Sequence, residues 1–334
     1  MHKIATALVT GGAGFIGRHL VAALLARGTN VKVLDPAVRA AGFPSQVETI
    51  EGSILEPDVV RSALNGIDTL FHLASYAHLW ALDKRLFRQV NVLGTEIVLE
   101  MAVAKEVERI VLTSTETVLR GWRNRSPGLI REDDERPLLD IPGPYTDSKL
   151  LQEGIGRLAS GQGGRIVTVY PTVPIGPGDV NMTAPTAMIR DFLTGAAPAY
   201  LDSVFNFVNV RDVALGHIYA AEKGEVGRGY ILGGENLEMS RFLELLGAAS
   251  GRPMPTRRVP FWLAYLAAYF SEFVANRITK RRPMAPLEGV RLARHPKAVD
   301  ISRARAELGY APGPISEALK ETVDWLRSEG LVEP

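Results

Sequence analysis

The chain has no cysteine among its 334 residues. That excludes disulfides, a thiol nucleophile and any metal site built on thiolates, and no metal site is expected. Neither charge is in excess: 38 Lys and Arg stand against 37 Asp and Glu, for a formal net charge of +1. Long basic blocks and basic–aromatic alternation are also missing, which argues against nucleic acid as a partner. No apolar run reaches the roughly twenty residues that a bilayer-spanning helix needs. There is no internal repeat or low-complexity linker, and residues 3–9 read as a core strand rather than a leader segment, so a cytoplasmic protein is expected. With 46% hydrophobic residues, the chain can bury one large core or two interleaved ones.

The most informative feature present lies near the N-terminus. The apolar run Ala5-Thr6-Ala7-Leu8-Val9-Thr10 meets glycines at Gly11, Gly14 and Gly17 and then an amphipathic stretch over 19–27. Strand, tight turn and helix follow in that order, with glycine where the chain turns, where backbone approaches a pyrophosphate and where helix packs on strand. Eighteen residues after Gly17, the apolar run 31–34 ends in Asp35. A carboxylate there faces the adenosine ribose hydroxyls and repels a 2′-phosphate, which favours NAD. Arg39 keeps NADP open.

Up to about residue 170, strand-length apolar runs near Leu8 and at 31–34, 47–50, 69–73, 109–113 and 166–170 alternate with helical patterns at 15–27, 57–65, 84–104 and 145–160. This predicts an α/β fold with a mostly parallel, doubly wound sheet and ligands at the strand carboxyl ends. After Pro171 the pattern breaks into turns, isolated helices and short strands. We assign 1–172 to the dinucleotide-binding domain, with 206–234 returning to it, and 173–205 with 235–330 to a smaller substrate lobe.

Tyr145 and Lys149 are four residues apart, on one face of a predicted helix. Upstream, the strand 109–113 ends in Ser114-Thr115-Glu116-Thr117, which brings hydroxyls to a strand's carboxyl end. A Lys ammonium and an oxidised nicotinamide lower a nearby phenol's pKa, so Tyr145 is read as the acid/base, Lys149 as its activator and Thr115 as the group that fixes the substrate oxygen.

Together with Phe71-His72-Leu73-Ala74, Asn91, Gly94-Thr95, Leu112-Thr113-Ser114-Thr115, Pro171-Thr172 and Gly176-Pro177-Gly178-Asp179, these residues resemble the extended short-chain dehydrogenase/reductase (NAD-dependent epimerase/dehydratase) superfamily nearly end to end. Pro198-Ala199-Tyr200, 206–210, 230–236 and 306–310 resemble most closely its dihydroflavonol reductase-like, 3β-hydroxysteroid dehydrogenase-like and hopanoid-associated sugar epimerase subgroup. The resemblance implies a Rossmann-type sheet and a catalytic triad of Thr115, Tyr145 and Lys149. It implies that Gly11, Gly14, Phe15, Ile16, Gly17 and Asp35 hold the adenosine and pyrophosphate half of the cofactor. Leu73, Ala74, Thr113, Lys149, Pro171 and Val173 fall to the ribose and nicotinamide, and Asn91 to the nearby sheet–helix junction. Ser53, next to Ile54, stands where the family usually has an Asp facing adenine. The resemblance also implies a homodimer through helices 84–104 and 145–160.

Three outcomes compete for this triad. The Tyr170-Pro171-Thr172 run lacks the Asn that nucleotide-sugar epimerases usually carry, and Glu116-Thr117 lacks the second carboxylate of the dehydratases. An oxidoreductase acting on a secondary alcohol or ketone of an apolar or aromatic substrate is therefore preferred. A sugar epimerase with retained cofactor is the alternative, and a dinucleotide-sensing regulator the non-enzymatic one. Candidate substrate residues are His78, Trp80, Glu116, Trp122, Tyr200, Phe207 and Arg211, although Arg211 reads more readily as a helix cap. The apolar stretch 260–270, with Arg277, Lys280, Arg281 and Arg282 behind it, is expected as a buried helix walling the substrate pocket, with membrane-surface contact by 260–282 as the alternative.

Overall fold

The computed structural model describes residues 2–120, 128–134, 136, 140–294 and 298–333. Its first half alternates strand and helix: β1 (Thr6–Thr10), α1 (Phe15–Ala26), β2 (Asn30–Leu34), α2 (Val38–Ala41), β3 (Val47–Ile50), α3 (Pro57–Ala63), β4 (Thr69–His72), α4 (Arg85–Arg88), α5 (Gly94–Ala104), β5 (Arg109–Thr113), α6 (Pro144–Gly161) and β6 (Ile166–Pro171). A single π turn, Gln89–Leu93, joins α4 to α5. The second half holds β7 (Val173–Ile175), α7 (Ala184–Leu193), β8 (Tyr200–Leu201), β9 (Val204–Asn209), α8 (Val210–Lys223), β10 (Gly229–Leu232), β11 (Glu235–Glu238), α9 (Met239–Ser250), β12 (Arg258–Val259), α10 (Phe261–Val274), α11 (Leu287–Leu292) and α12 (Ile315–Ser328).

Among the described residues the main sheet has seven strands in the order β10-β6-β5-β4-β1-β2-β3, and every pairing is parallel. Strands buried on both faces read as continuous apolar runs, which is why the 109–113 and 166–170 segments were legible. Alternate residues point to opposite faces. Val9, Val33, Phe71, Val111 and Val167 join one core with α1 and α8, whereas Leu8, Leu34, Leu70, Ile110 and Ile166 join a second with α3, α5 and the end of α6. The strand order reverses between β1 and β4, and the crevice outside their carboxyl ends is where such sheets bind ligands.

The second half corrects one expectation. Of the segment 206–234, α8 and β10 do return to the main sheet, but β9 does not. It forms the centre of a three-stranded sheet, parallel to β7 and antiparallel to β11. Phe207 on β9 faces a third core made by α7, α9 and α12, and so β9 belongs with the small lobe. The inward positions of α12 (Ile315, Ala318, Leu319, Thr322, Val323 and Leu326) keep the helical period that this packing needs.

The helix α10 corrects another. It was expected to be buried, yet Ala268 is its one buried residue, and Trp262, Leu266, Tyr269, Phe270 and Phe273 are exposed. A helix apolar on every side usually lies in a core; here one side packs on α11 and the other faces outward. Among the described residues no helix is long and apolar enough to cross a membrane.

Candidate active site

A continuous cleft of about 1580 Å³ runs along the carboxyl ends of the strands and into the small lobe. At one end lies the glycine loop. Gly11 has φ +73°, and a Cβ on it would sit 2.7 Å from the Ala74 backbone, so only glycine lets β1 turn beneath the β4 loop. A Cβ on Gly17 would run into the Gly11 carbonyl, which fixes the close approach of α1. Gly14 caps α1 with no side-chain acceptor and gives its own N–H to the Gly11 carbonyl (3.1 Å), so the helix presents its first N–H groups to the cleft through Phe15 and Ile16. These are the features a pyrophosphate needs, and the loop fits a dinucleotide.

Asp35 follows β2 and is 9% exposed. Its carboxylate accepts the N–H groups of Ala13 (3.1 Å) and Ala37 (2.8 Å), tying the glycine loop to the segment after β2. It also lines the cleft, with lone pairs free for ribose hydroxyls. Arg39 pairs with Glu51 at 2.6 Å on the exposed surface.

Ser53, Ile54, Leu73, Ala74, Thr113, Pro171 and Val173 all line the cleft. The Ser53 hydroxyl accepts the Leu55 N–H at 3.1 Å, a turn-forming bond. Asn91 does not line the cleft. It is fully buried in the π turn: its Oδ1 accepts Ser75 Oγ (3.0 Å) and the Tyr76 N–H (2.7 Å), and its Nδ2 donates to Ser148 Oγ (2.9 Å). With a fourth bond, from Nδ2 to the Tyr76 carbonyl at 3.3 Å, the amide ties the β4 loop to α6, so its part in cofactor binding is to hold the wall rather than to touch the ligand.

Tyr145 and Lys149 sit on consecutive turns of α6, beside Thr115 just past β5, and all three line the cleft. The Thr115 hydroxyl accepts the Thr117 N–H at 3.4 Å and lies near enough to the Tyr145 phenol to favour its ionised form. Lys149 is 2% exposed and donates to the Thr113 carbonyl at 2.8 Å. Burial pushes its ammonium down to about 7, against the pull of Glu153. Tyr145 departs from the expected direction. Burial pushes the phenol well above its ordinary value; the neighbouring Thr115 hydroxyl opposes this, and the Glu288 and Glu116 carboxylates add to it. With its ammonium pushed down to about 7 by burial, Lys149 is uncharged where the phenol ionises and does not lower it.

Glu288, on α11, went unread in the sequence. Its carboxylate accepts the N–H of Tyr145 (3.1 Å) and both the N–H (2.8 Å) and the hydroxyl (2.7 Å) of Thr146. It thus caps α6, whose own N-cap, Gly143, has no side chain to do so. Burial pushes the carboxyl up to about 7, against these three bonds. Nothing local marks Glu288, which lies 143 residues from Tyr145.

The substrate candidates divide. His78, Glu116 and Tyr200 line the cleft. Glu116 is 4% exposed and paired with buried Arg120, which also faces the cleft, so it is not a solvated strand-end carboxylate. The Tyr200 hydroxyl accepts Arg258 Nε at 3.1 Å. Phe207 touches the cleft but is fully buried, stacked on Phe242 with ring centroids 4.0 Å apart, so it serves the core. Arg211 is excluded: its backbone N–H is bonded by the Asn209 cap at 2.9 Å and its guanidinium pairs with half-buried Glu321, away from the cleft. Trp80 donates to Asn276 at 3.0 Å, outside the lining, and Trp122 lies outside the described residues.

A parallel sheet in this order, with its cleft at the switch point and a glycine loop under α1, makes the protein a dinucleotide-dependent enzyme of the Rossmann type. Residues 7–233 match the model of the NAD dependent epimerase/dehydratase family, and the chain belongs to that family, within the extended short-chain dehydrogenase/reductases. It is 34% identical to a Synechocystis sp. protein named "Putative dihydroflavonol 4-reductase", over 99% of this chain and 98% of the relative. It is 32% identical to the 4-hydroxy-2-methyl-3-oxo-4-farnesyl-3,4-dihydroquinoline-1-oxide ketoreductase of Stigmatella aurantiaca, over 96% of each. The crystal structure of gox2253 is similar at a TM-score of 0.85 and 30% identity, over 99% of this chain and 100% of that one.

Proposed function

We propose that the protein is an NAD-dependent oxidoreductase that interconverts a secondary alcohol and a ketone on an apolar or aromatic substrate, using Thr115, Tyr145 and Lys149. The observation that carries the reading is where the Thr115 and Tyr145 hydroxyls lie: side by side at the strand ends, on the same cleft as the apolar side chains Met188, Phe205, Val259, Pro283, Met284 and Val290. Two hydroxyls on one carbonyl oxygen polarise it, and such side chains offer little to a sugar's hydroxyls. The names of the relatives, a dihydroflavonol reductase and a farnesylated quinoline ketoreductase, support the same class.

Bound NAD supplies the hydride acceptor, and its reduced form the donor. In reduction the Tyr145 phenol, held protonated by burial, gives its proton to the oxygen as the carbon gains hydride; in oxidation the phenolate takes it back. Thr115 holds the oxygen in place. Lys149, buried beside the strand end, lies where a cofactor ribose can draw its ammonium from the Thr113 carbonyl. Asp35 would accept the adenosine ribose hydroxyls, and the N-terminus of α1 would face the pyrophosphate.

The test is NADH consumption, read in the nicotinamide absorbance band, with a panel of aromatic and polycyclic ketones. The expected result is turnover that falls by well over about tenfold in Tyr145→Phe, the loss general acid catalysis commonly supplies. Tightly co-purifying NAD with no net cofactor turnover, but inversion of a sugar, would replace this reading with the epimerase.

A further inference from the structure

We propose that α10 docks the protein in the plane of an anionic lipid surface, beside the mouth of the cleft. Trp262, Leu266, Tyr269, Phe270 and Phe273 follow one another at helical spacing and form a single outward stripe, with Trp262 63% and Phe270 69% exposed. Leu263 widens the stripe, and Ile278 (69% exposed) and Met284 (72%) extend the apolar surface beyond the helix. Soluble monomers rarely expose so large a contiguous apolar patch without a partner for it.

Charge identifies the partner. Between residues 257 and 282 the chain has six cations and one carboxylate. That carboxylate, Glu272, is turned inward: it accepts the Leu287 N–H at 3.1 Å and lies 3.5 Å from Lys84. The outward face of α10 therefore carries no charge, while Arg257 lies exposed before it and Arg277, Lys280 and Arg281 after it. Aromatic and aliphatic side chains flanked by cations suit the boundary between headgroups and acyl chains. At 1.5 Å per residue the helix is about 21 Å long, too short to span the hydrocarbon layer, so it lies along the surface.

The cleft opens next to this helix. Pro283, Met284, Ala285 and Pro286 lead from α10 to α11 and line the cleft, and Met284 is exposed as well, which makes it part of the rim. Entry of a substrate directly from the lipid at that rim rests on the apolar-substrate reading; the docking does not.

Flotation of the full chain with vesicles of phosphatidylcholine, with and without phosphatidylglycerol, tests the proposal. Binding should be at least about tenfold stronger with phosphatidylglycerol and should weaken as salt is raised. Trp262→Ser with Phe270→Ser should abolish it, and Arg277→Gln with Lys280→Gln and Arg281→Gln should remove the preference for the anionic lipid. NAD affinity and melting temperature, read on every variant, should stay at wild-type values and show that the fold is intact. Absence of vesicle binding by the wild type, or undiminished binding by the Trp262/Phe270 variant, overturns the docking. So does a drop in oligomer size in that variant by light scattering without vesicle binding, which gives the face to a second copy. Vesicle binding with no turnover of apolar ketones would leave the docking standing and remove the substrate reading.

Discussion

The backbone N–H of Tyr145 donates to the carboxylate of Glu288 at 3.1 Å, so a residue of α11 holds the first turn of the helix that carries the proposed acid/base. Gly143 makes this possible, because a Cβ there would collide with the carboxylate. The arrangement couples the position and the proton affinity of Tyr145 to α11.

Replacing Glu288 should therefore act in two ways. Glu288→Gln keeps one acceptor oxygen but strands either the Tyr145 N–H or the Thr146 donors, at a cost of about 1–3 kcal/mol in stability. It also removes the negative charge that helps raise the phenol. The alkaline phenolate limb of alcohol oxidation should move to lower pH, read from kcat/KM against pH. An unmoved limb in a folded variant would show that Glu288 is only a helix cap. The wild type should respond to pH as well. Its Glu288 carboxyl, raised in the folded state from 4.5 to about 7, contributes most stability below 4.5, and this is lost as pH rises to about 7.

Lys149 gives the complementary case. Its pKa is depressed in the folded state from 10.5 to about 7, so the folded chain binds fewer protons than the unfolded one between those values, and stability rises with pH across the interval. Lys149→Met should abolish turnover. The cofactor-free variant should nevertheless melt at or above the wild-type temperature at pH below about 7, with the gap closing toward pH 10.5. Equal destabilisation at both ends of the range would mean that the Thr113 bond, not the buried charge, dominates.

What was legible in the sequence was what is local. The glycine loop, Asp35 and the Tyr145–Lys149 pair each sit within one strand–turn–helix unit or one helical turn, where spacing alone dictates geometry. Asn91 shows the limit: its position marks the junction near the cofactor, but only packing shows that its amide faces Tyr76 and Ser148. Arg211 was ambiguous for the same reason, and the surface pairing with Glu321 is what removes it from the site. Residues 261–274 misled because uniform apolarity says that a helix needs cover, not what supplies it. Glu288 was invisible, since an ordinary Leu-Glu-Gly segment becomes a cap only when α11 meets α6.

Asp35 predicts the choice of cofactor. Its carboxylate lines the cleft beside the glycine loop, while Arg39 pairs with Glu51 on the exposed surface. NAD should bind at least about tenfold more tightly than NADP, or about 1.4 kcal/mol. Asp35→Asn should narrow that ratio mainly through weaker NAD binding, because an amide offers one acceptor oxygen where the carboxylate serves Ala13, Ala37 and the ribose. Titration of both cofactors by fluorescence measures it. A preference for NADP in the wild type would contradict the assignment.

The outer faces of α5 and α6 suggest how the chain associates. We propose a homodimer through them, since they lie side by side on one face of the sheet, α6 exposes Leu151 (40%) and Leu158 (70%), and the π turn leading into α5 exposes Leu93 (49%). Leu151 and Leu158 are seven residues apart, hence on one side of α6. Paired across a two-fold axis, two copies of these helices would form a four-helix seam that buries all three leucines. Leu151→Glu with Leu158→Glu should convert the dimer to a monomer in size exclusion with light scattering, with NAD affinity retained because neither residue lines the cleft. This seam is separate from α10. A dimer that survives the double substitution but is lost in Trp262→Ser with Phe270→Ser would move the contact to α10 and remove that helix from the lipid surface.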